Sequence, residues 1–117
     1  MTSPEMTALL VEDEPLIAWL AIGILQDLGY RVFEARTKHE ALAVLAREAG
    51  IALLFTDEQL ADGSLGSELA RQVANDRPDI RIVITSGCKR PESMPDGAVF
   101  VPKPYTDRLL ASAFGHE

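Results

Sequence analysis

The sequence predicts an α/β domain, a mostly parallel β-sheet with helices on both faces. Short unbroken apolar runs, such as Ala8-Leu9-Leu10-Val11 and Ile51-Ala52-Leu53-Leu54-Phe55, have the character of strands buried on both sides. Between such runs, apolar residues recur every three or four positions, which marks a helix with one buried stripe. The two kinds of segment alternate along the chain, and strands separated by helical crossovers join in parallel.

Taken in order, the first strand is Ala8–Val11, and Pro15 follows where a first helical turn tolerates it. Ile17, Leu20, Ala21, Ile24, Leu25 and Leu28 trace the inward stripe of that helix, which Gly29 ends. Arg31–Ala35 reads as a second strand, nearer an edge. Thr37 and Glu40 form a capping-box pattern, opening a helix with Ala41, Leu42 and Leu45 inward. Ile51–Phe55 is the third strand, and Leu65–Asn75 a third helix that stops before Pro78. Ile82–Thr85 and Ala98–Val101 are the fourth and fifth strands. Thr106 caps a last helix with Leu109, Leu110 and Ala113 on its buried face. Between the last two strands, Gly87–Gly97 holds Pro91 and Pro95, which leave room for at most one short turn of helix.

The chain of 117 residues suits one domain spanning residues 1–117. A net charge of −7 argues against direct nucleic-acid binding, which needs a basic footprint, and favours a cation or a basic partner. Cys88 is the single cysteine, so neither an intramolecular disulfide nor a cysteine metal cage can form. Met1–Thr7 has no signal-peptide character, and Leu16–Leu28 is too short to span a bilayer. The expectation is a cytoplasmic protein without membrane insertion.

In an open parallel sheet, ligands bind beyond the carboxyl ends of the strands. Those ends carry Glu12-Asp13-Glu14, Thr56-Asp57-Glu58, Thr85-Ser86-Gly87 and Pro102-Lys103-Pro104. Carboxylates gathered on one edge repel each other unless a cation joins them. Mg²⁺ takes oxygen ligands and typically binds through one or two carboxylates plus phosphate. Lys103 adds a mobile point charge suited to a phosphoryl oxygen. The edge therefore suits a cation and a phosphate together.

These residues, in this order and strand context, resemble the receiver domains of two-component response regulators, over about Met6 to Phe114. The resemblance implies a flavodoxin-like three-layer α/β/α fold with five parallel strands in the order 2-1-3-4-5. It implies that Asp57 takes a phosphoryl group from a histidine kinase or histidine phosphotransfer protein and signals to a downstream protein. Glu12, Asp13, Asp57 and the backbone carbonyl of Gln59 would hold Mg²⁺. Lys103 would neutralise charge on the transferring group. Ser86 would bond the phosphoryl group, Phe100 would reorient with it, and the Lys103-Pro104 bond would be cis. Such a protein phosphorylates and dephosphorylates itself rather than turning over a substrate.

The sequence also departs from that family. Glu12 replaces the commoner aspartate, and Ala61 stands where many relatives have proline, which loosens the loop after Asp57. Gly66 lies one residue later than usual from Asp57. Gly87–Gly97 is shorter than the usual helix-bearing connection, so the fourth helix of the family is short or absent, and an order–disorder change in this loop replaces a helix shift as the readout. Thr85 is the second candidate for the switch hydroxyl.

Blander readings stand beside these. The acidic run could cap the following helix, and Ser86 could be an ordinary turn hydroxyl. His39 and His116 read as solvated and Cys88 as inert. Trp19 lies off the main stripe of the first helix, with Ile22 and Leu16 a turn to either side, which suggests a partner surface or a homodimer contact. A haloacid-dehalogenase-type phosphatase would want a second aspartate where Gln59 stands. A flavin protein would want Ser, Thr and Gly where Glu12-Asp13-Glu14 stands. The remaining alternative is a receiver-like interaction module that works without phosphate.

Overall fold

The computed structural model describes residues 6–87 and 90–115. Its strands are β1 (Met6–Val11), β2 (Tyr30–Ala35), β3 (Ile51–Asp57), β4 (Arg81–Ser86) and β5 (Val99–Pro102). Its helices are α1 (Pro15–Asp27), α2 (Lys38–Arg47), α3 (Gly66–Asp76) and α4 (Asp107–Ala113). All strand pairings are parallel, as the sequence pattern predicts, and the order β2-β1-β3-β4-β5 is the one that the family resemblance implies. The central strands β1, β3 and β4 are the unbroken apolar runs, because both their faces lie under helices.

Alternation along each strand divides the core in two. Ala8, Leu10, Leu53, Phe55, Val83 and Val101 face α1 and α4. Leu9, Val11, Leu54, Ile82 and Ile84 face α2 and α3. Thr37 caps α2 by accepting from the Glu40 N–H at 3.1 Å, and the Glu40 carboxylate accepts from the Arg36 N–H at 2.9 Å. Thr106 caps α4 by accepting from the Leu109 N–H at 3.1 Å. No helix among the described residues is long and apolar enough to cross a membrane.

Three expected helix faces are turned by about one position. In α1 the buried residues are Ala18, Ala21 and Leu25, whereas Leu20 is 52% exposed and Ile17, Ile24 and Leu28 are half-buried. Nearly every position of α1 is apolar, so spacing does not choose a face; the small Ala18 and Ala21 lie against the sheet. In α2, Val44 is buried and Leu42 only partly so. In α4, Leu110 and Ala113 are buried while Leu109 is exposed.

Residues 90–97 contain no helix, the limiting case of the expected short turn. The Ala98 N–H donates to the Pro95 carbonyl at 3.2 Å, and Gly97 takes φ +84°, so this segment ends in a tight turn into β5. Met94 and Ala98 pack against the core where a helix would otherwise sit. Cys88 and His116 lie outside the described residues.

Candidate functional site

Register brings the polar strand ends together. Val11 pairs with Thr56, which sets Glu12 level with Asp57; Asp57 pairs with Thr85, and Ser86 with Pro102. Glu12 is held by its own N–H, which donates to the Ala35 carbonyl at 3.0 Å. The Lys103 N–H donates to the Ser86 carbonyl at 2.9 Å, and the Lys103-Pro104 peptide bond is cis.

Glu12 and Asp57 are each only 7% exposed, and Asp13 is half-buried. One oxygen from each of these three carboxylates lies within 4.8 Å of the others. Lys103 Nζ lies 3.1 Å from both Glu12 Oε1 and Asp57 Oδ2. One ammonium thus faces three carboxylates. The remaining negative charge and the all-oxygen donor set fit a hard divalent cation.

Burial pushes the Glu12 carboxyl above its ordinary value, and Asp57 adds repulsion; the Glu14 N–H and Lys103 only partly oppose this. For Lys103, burial alone favours the neutral amine. Bonding to Asp57 and the charges of Glu12 and Asp57 outweigh it, and its pKa is raised. Lys103 therefore stays charged at neutral pH.

Ser86 is buried, and its hydroxyl donates to Gln59 Oε1 at a long 3.4 Å. Gln59 is exposed, and its side-chain oxygen faces the Ser86 hydroxyl. Phe100 is half-buried in β5, paired with Ile84. Trp19 is 71% exposed and continuous with exposed Leu16 and Leu20. Ile22 is half-buried: it packs against the core and also lines one surface groove with Trp19 and Leu20.

The loop after Asp57 is more tightly held than its sequence suggests. Gln59 bridges Leu65, the Leu60 N–H donates to the Ser64 carbonyl at 3.2 Å, and the Ala61 N–H donates to the Arg36 carbonyl at 3.3 Å. Proline at position 61 could not make that last bond. Gly66 donates to the Glu58 carbonyl at 2.8 Å, and a Cβ there would collide with the Asp57 carbonyl oxygen. Gly66→Ala is expected to cost roughly 1–3 kcal/mol through this overpacking, read as a lower urea midpoint. An unchanged midpoint would show that the loop gives way freely.

Four residues have surroundings that the sequence does not reveal. Glu58 turns away from the other carboxylates and closes the start of α3, accepting from the Ser67 N–H at 2.6 Å and the Ser67 hydroxyl at 2.8 Å. Gly66, noted only for its spacing, is the close approach just described. Tyr105 packs edge-on against Phe55 at 5.8 Å, and burial, then the charges of Glu12 and Asp57, push its phenol far up. It stays protonated, its side chain lining an apolar cleft of about 390 Å³ with Ile17, Leu20, Gly87, Lys103 and Pro104. An aromatic directly after Lys103-Pro104 is the one available signal for it. Thr85, weighed only as a second switch hydroxyl, is buried with no hydrogen-bond partner for Oγ1 among the described residues, a state that costs about 1–3 kcal/mol.

A five-stranded parallel α/β/α sandwich with acids and a lysine on one edge of strand ends defines a receiver-type signalling domain. The chain belongs to the response regulator receiver domain family, which matches residues 8–114. It is 30% identical over 94% of its length to the sensor kinase CckA of Brucella abortus, and 33% identical over 83% to the phyllosphere-induced regulator PhyR of Methylorubrum extorquens. It spans only 12% and 38% of those two proteins. A solved response regulator receiver protein from Sinorhizobium medicae superposes with a TM-score of 0.86 at 27% identity, covering 94% of this chain and 91% of that one. Membership places the chain in two-component signalling.

Proposed function

We propose that the chain is a phosphorylation-dependent switch in which Asp57 accepts a phosphoryl group from a phosphohistidine on a histidine kinase or phosphotransfer protein. The observation that carries this reading is the buried Asp57 carboxylate, paired with Lys103 and within one ion's reach of Glu12 and Asp13. An Asp57 oxygen forms the new P–O bond as the P–N bond to the donor imidazole breaks, and the imidazole keeps that electron pair. Lys103 follows the charge that develops on the phosphoryl oxygens. Mg²⁺, held by Glu12, Asp13, Asp57 and the Gln59 carbonyl, would neutralise charge on the same oxygens when bound.

Ser86 then bonds the phosphoryl group and Phe100 reorients, which loosens or orders residues 90–97. Equal amide exchange of that segment with and without a phosphoryl mimic would count against this readout. Trp19 and Ile22, with Leu16 and Leu20, offer a surface to the donor, a downstream target or a second copy. The reading treats residues 1–117 as one receiver domain acting in the cytoplasm.

Phosphotransfer tests it. A donor labelled on histidine should pass its label to the wild-type chain in the presence of Mg²⁺; a donor that keeps its label against every concentration of receiver would speak for a phosphate-independent interaction module. Acid should weaken the metal site early. Because its folded pKa is raised above the ordinary 4.5, Glu12 holds a proton in the folded state at pH values where the unfolded chain has lost it. Stability without Mg²⁺ should therefore rise as pH falls through that window, while Mg²⁺ affinity falls. Calorimetric Mg²⁺ titrations should show weaker binding in wild type as pH falls toward the carboxylate range. In Glu12→Gln, which has no proton to displace at this position, that pH dependence should shrink.

A further inference from the structure

The sheet register places Glu12, Asp57, Thr85 and Val101 in one row across β1, β3, β4 and β5. Val83 and Val101 belong to the core cluster on the α1 side, so strand alternation puts Thr85 on that same side. Thr85 is 2% exposed, and its Oγ1 has no hydrogen-bond partner among the described residues. A buried hydroxyl left in this state is uncommon and calls for a reason.

The path of Lys103 supplies one. Its backbone lies beyond the far side of β4, bonded to the Ser86 carbonyl, yet its ammonium reaches Asp57 on β3 and Glu12 next to β1. Because β4 stands between β5 and β3, the lysine side chain spans the end of β4, where it lines one cleft with Gly87. Of the three N–H groups on Nζ, one goes to Glu12 Oε1 and one to Asp57 Oδ2. A phosphoryl group on Asp57 that also bonds Ser86 would sit at that same end of β4, and an ammonium following it would shift toward the strand that carries Thr85.

We infer that Thr85 is a positioning residue for Lys103, whose hydroxyl accepts the third ammonium N–H when Asp57 carries a phosphoryl group. This rests on the phosphoryl-acceptor reading of Asp57. The hydroxyl is orphaned in one state and satisfied in the other, so its burial favours the phosphorylated form.

The test compares wild type, Thr85→Val and Thr85→Ser by thermal unfolding, with and without Mg²⁺ and beryllofluoride. Valine has nearly the shape of threonine and removes the orphan, so its Tm without the mimic should rise by about 4 °C. Its gain on adding beryllofluoride should be clearly smaller than that of wild type, and serine should restore the wild-type gain. If valine shifts both forms equally, or neither, Thr85 is only a core residue and the inference fails while the Asp57 reading stands. A wild type that gains nothing from beryllofluoride would overturn the Asp57 reading and this inference with it.

Discussion

Lys103→Ala is expected to slow phosphoryl transfer to Asp57 by about 10²–10³-fold, the usual consequence of removing one preorganised charge donor from a transition state. Lys103 is held 3.1 Å from Asp57 Oδ2 before any phosphoryl group arrives, so its charge needs little reorganisation during transfer. The same change strands two buried carboxylates. The stability of Lys103→Ala should fall below that of wild type by roughly 1–3 kcal/mol in Mg²⁺-free buffer, and Mg²⁺ should recover part of it. Arginine should not substitute, because its planar fork demands room and geometry that a point charge on a flexible stem does not. Stopped-flow transfer rates would check this. A Lys103→Ala protein phosphorylated at the wild-type rate would remove the lysine from the mechanism.

Asp57→Asn should abolish stable phosphorylation altogether, because the amide oxygen is a poor nucleophile and cannot carry an acyl phosphate. Folding should survive. The substitution keeps the shape and leaves Lys103 paired with Glu12 at 3.1 Å, while one charge leaves a crowded acidic cluster. Its urea midpoint should therefore stay close to that of wild type. The Mg²⁺-dependent rise in stability should shrink, since one of the three clustered carboxylates is gone. Loss of phosphorylation together with gross unfolding would leave the chemistry of Asp57 unproved, so the two readouts belong together.

The sheet was legible because buried parallel strands require continuous apolar runs, and β1, β3 and β4 have them. The acidic edge was legible for a related reason. Charged residues directly after such runs, as at Glu12, Asp57 and Lys103, have one place to go, the carboxyl ends of the strands. What stayed hidden depends on facing and on packing between distant segments. An almost wholly apolar α1 gives no periodic contrast, so its buried face had to come from three dimensions. Glu58 beside Asp57 looks like another site carboxylate, and only the approach of Ser67 shows that it caps α3. The tight approach of Gly66 to Asp57, and the lack of a hydrogen-bond partner for the Thr85 hydroxyl among the described residues, depend on packing between segments that spacing does not encode.

The most direct test is intact mass after incubation with a small acyl-phosphate donor, for wild type with and without Mg²⁺ and for Asp57→Asn. A gain of one phosphoryl group that requires Mg²⁺ and disappears in Asp57→Asn is the predicted result. A gain of the same size in Asp57→Asn, or no gain in wild type together with no response to beryllofluoride, would contradict it.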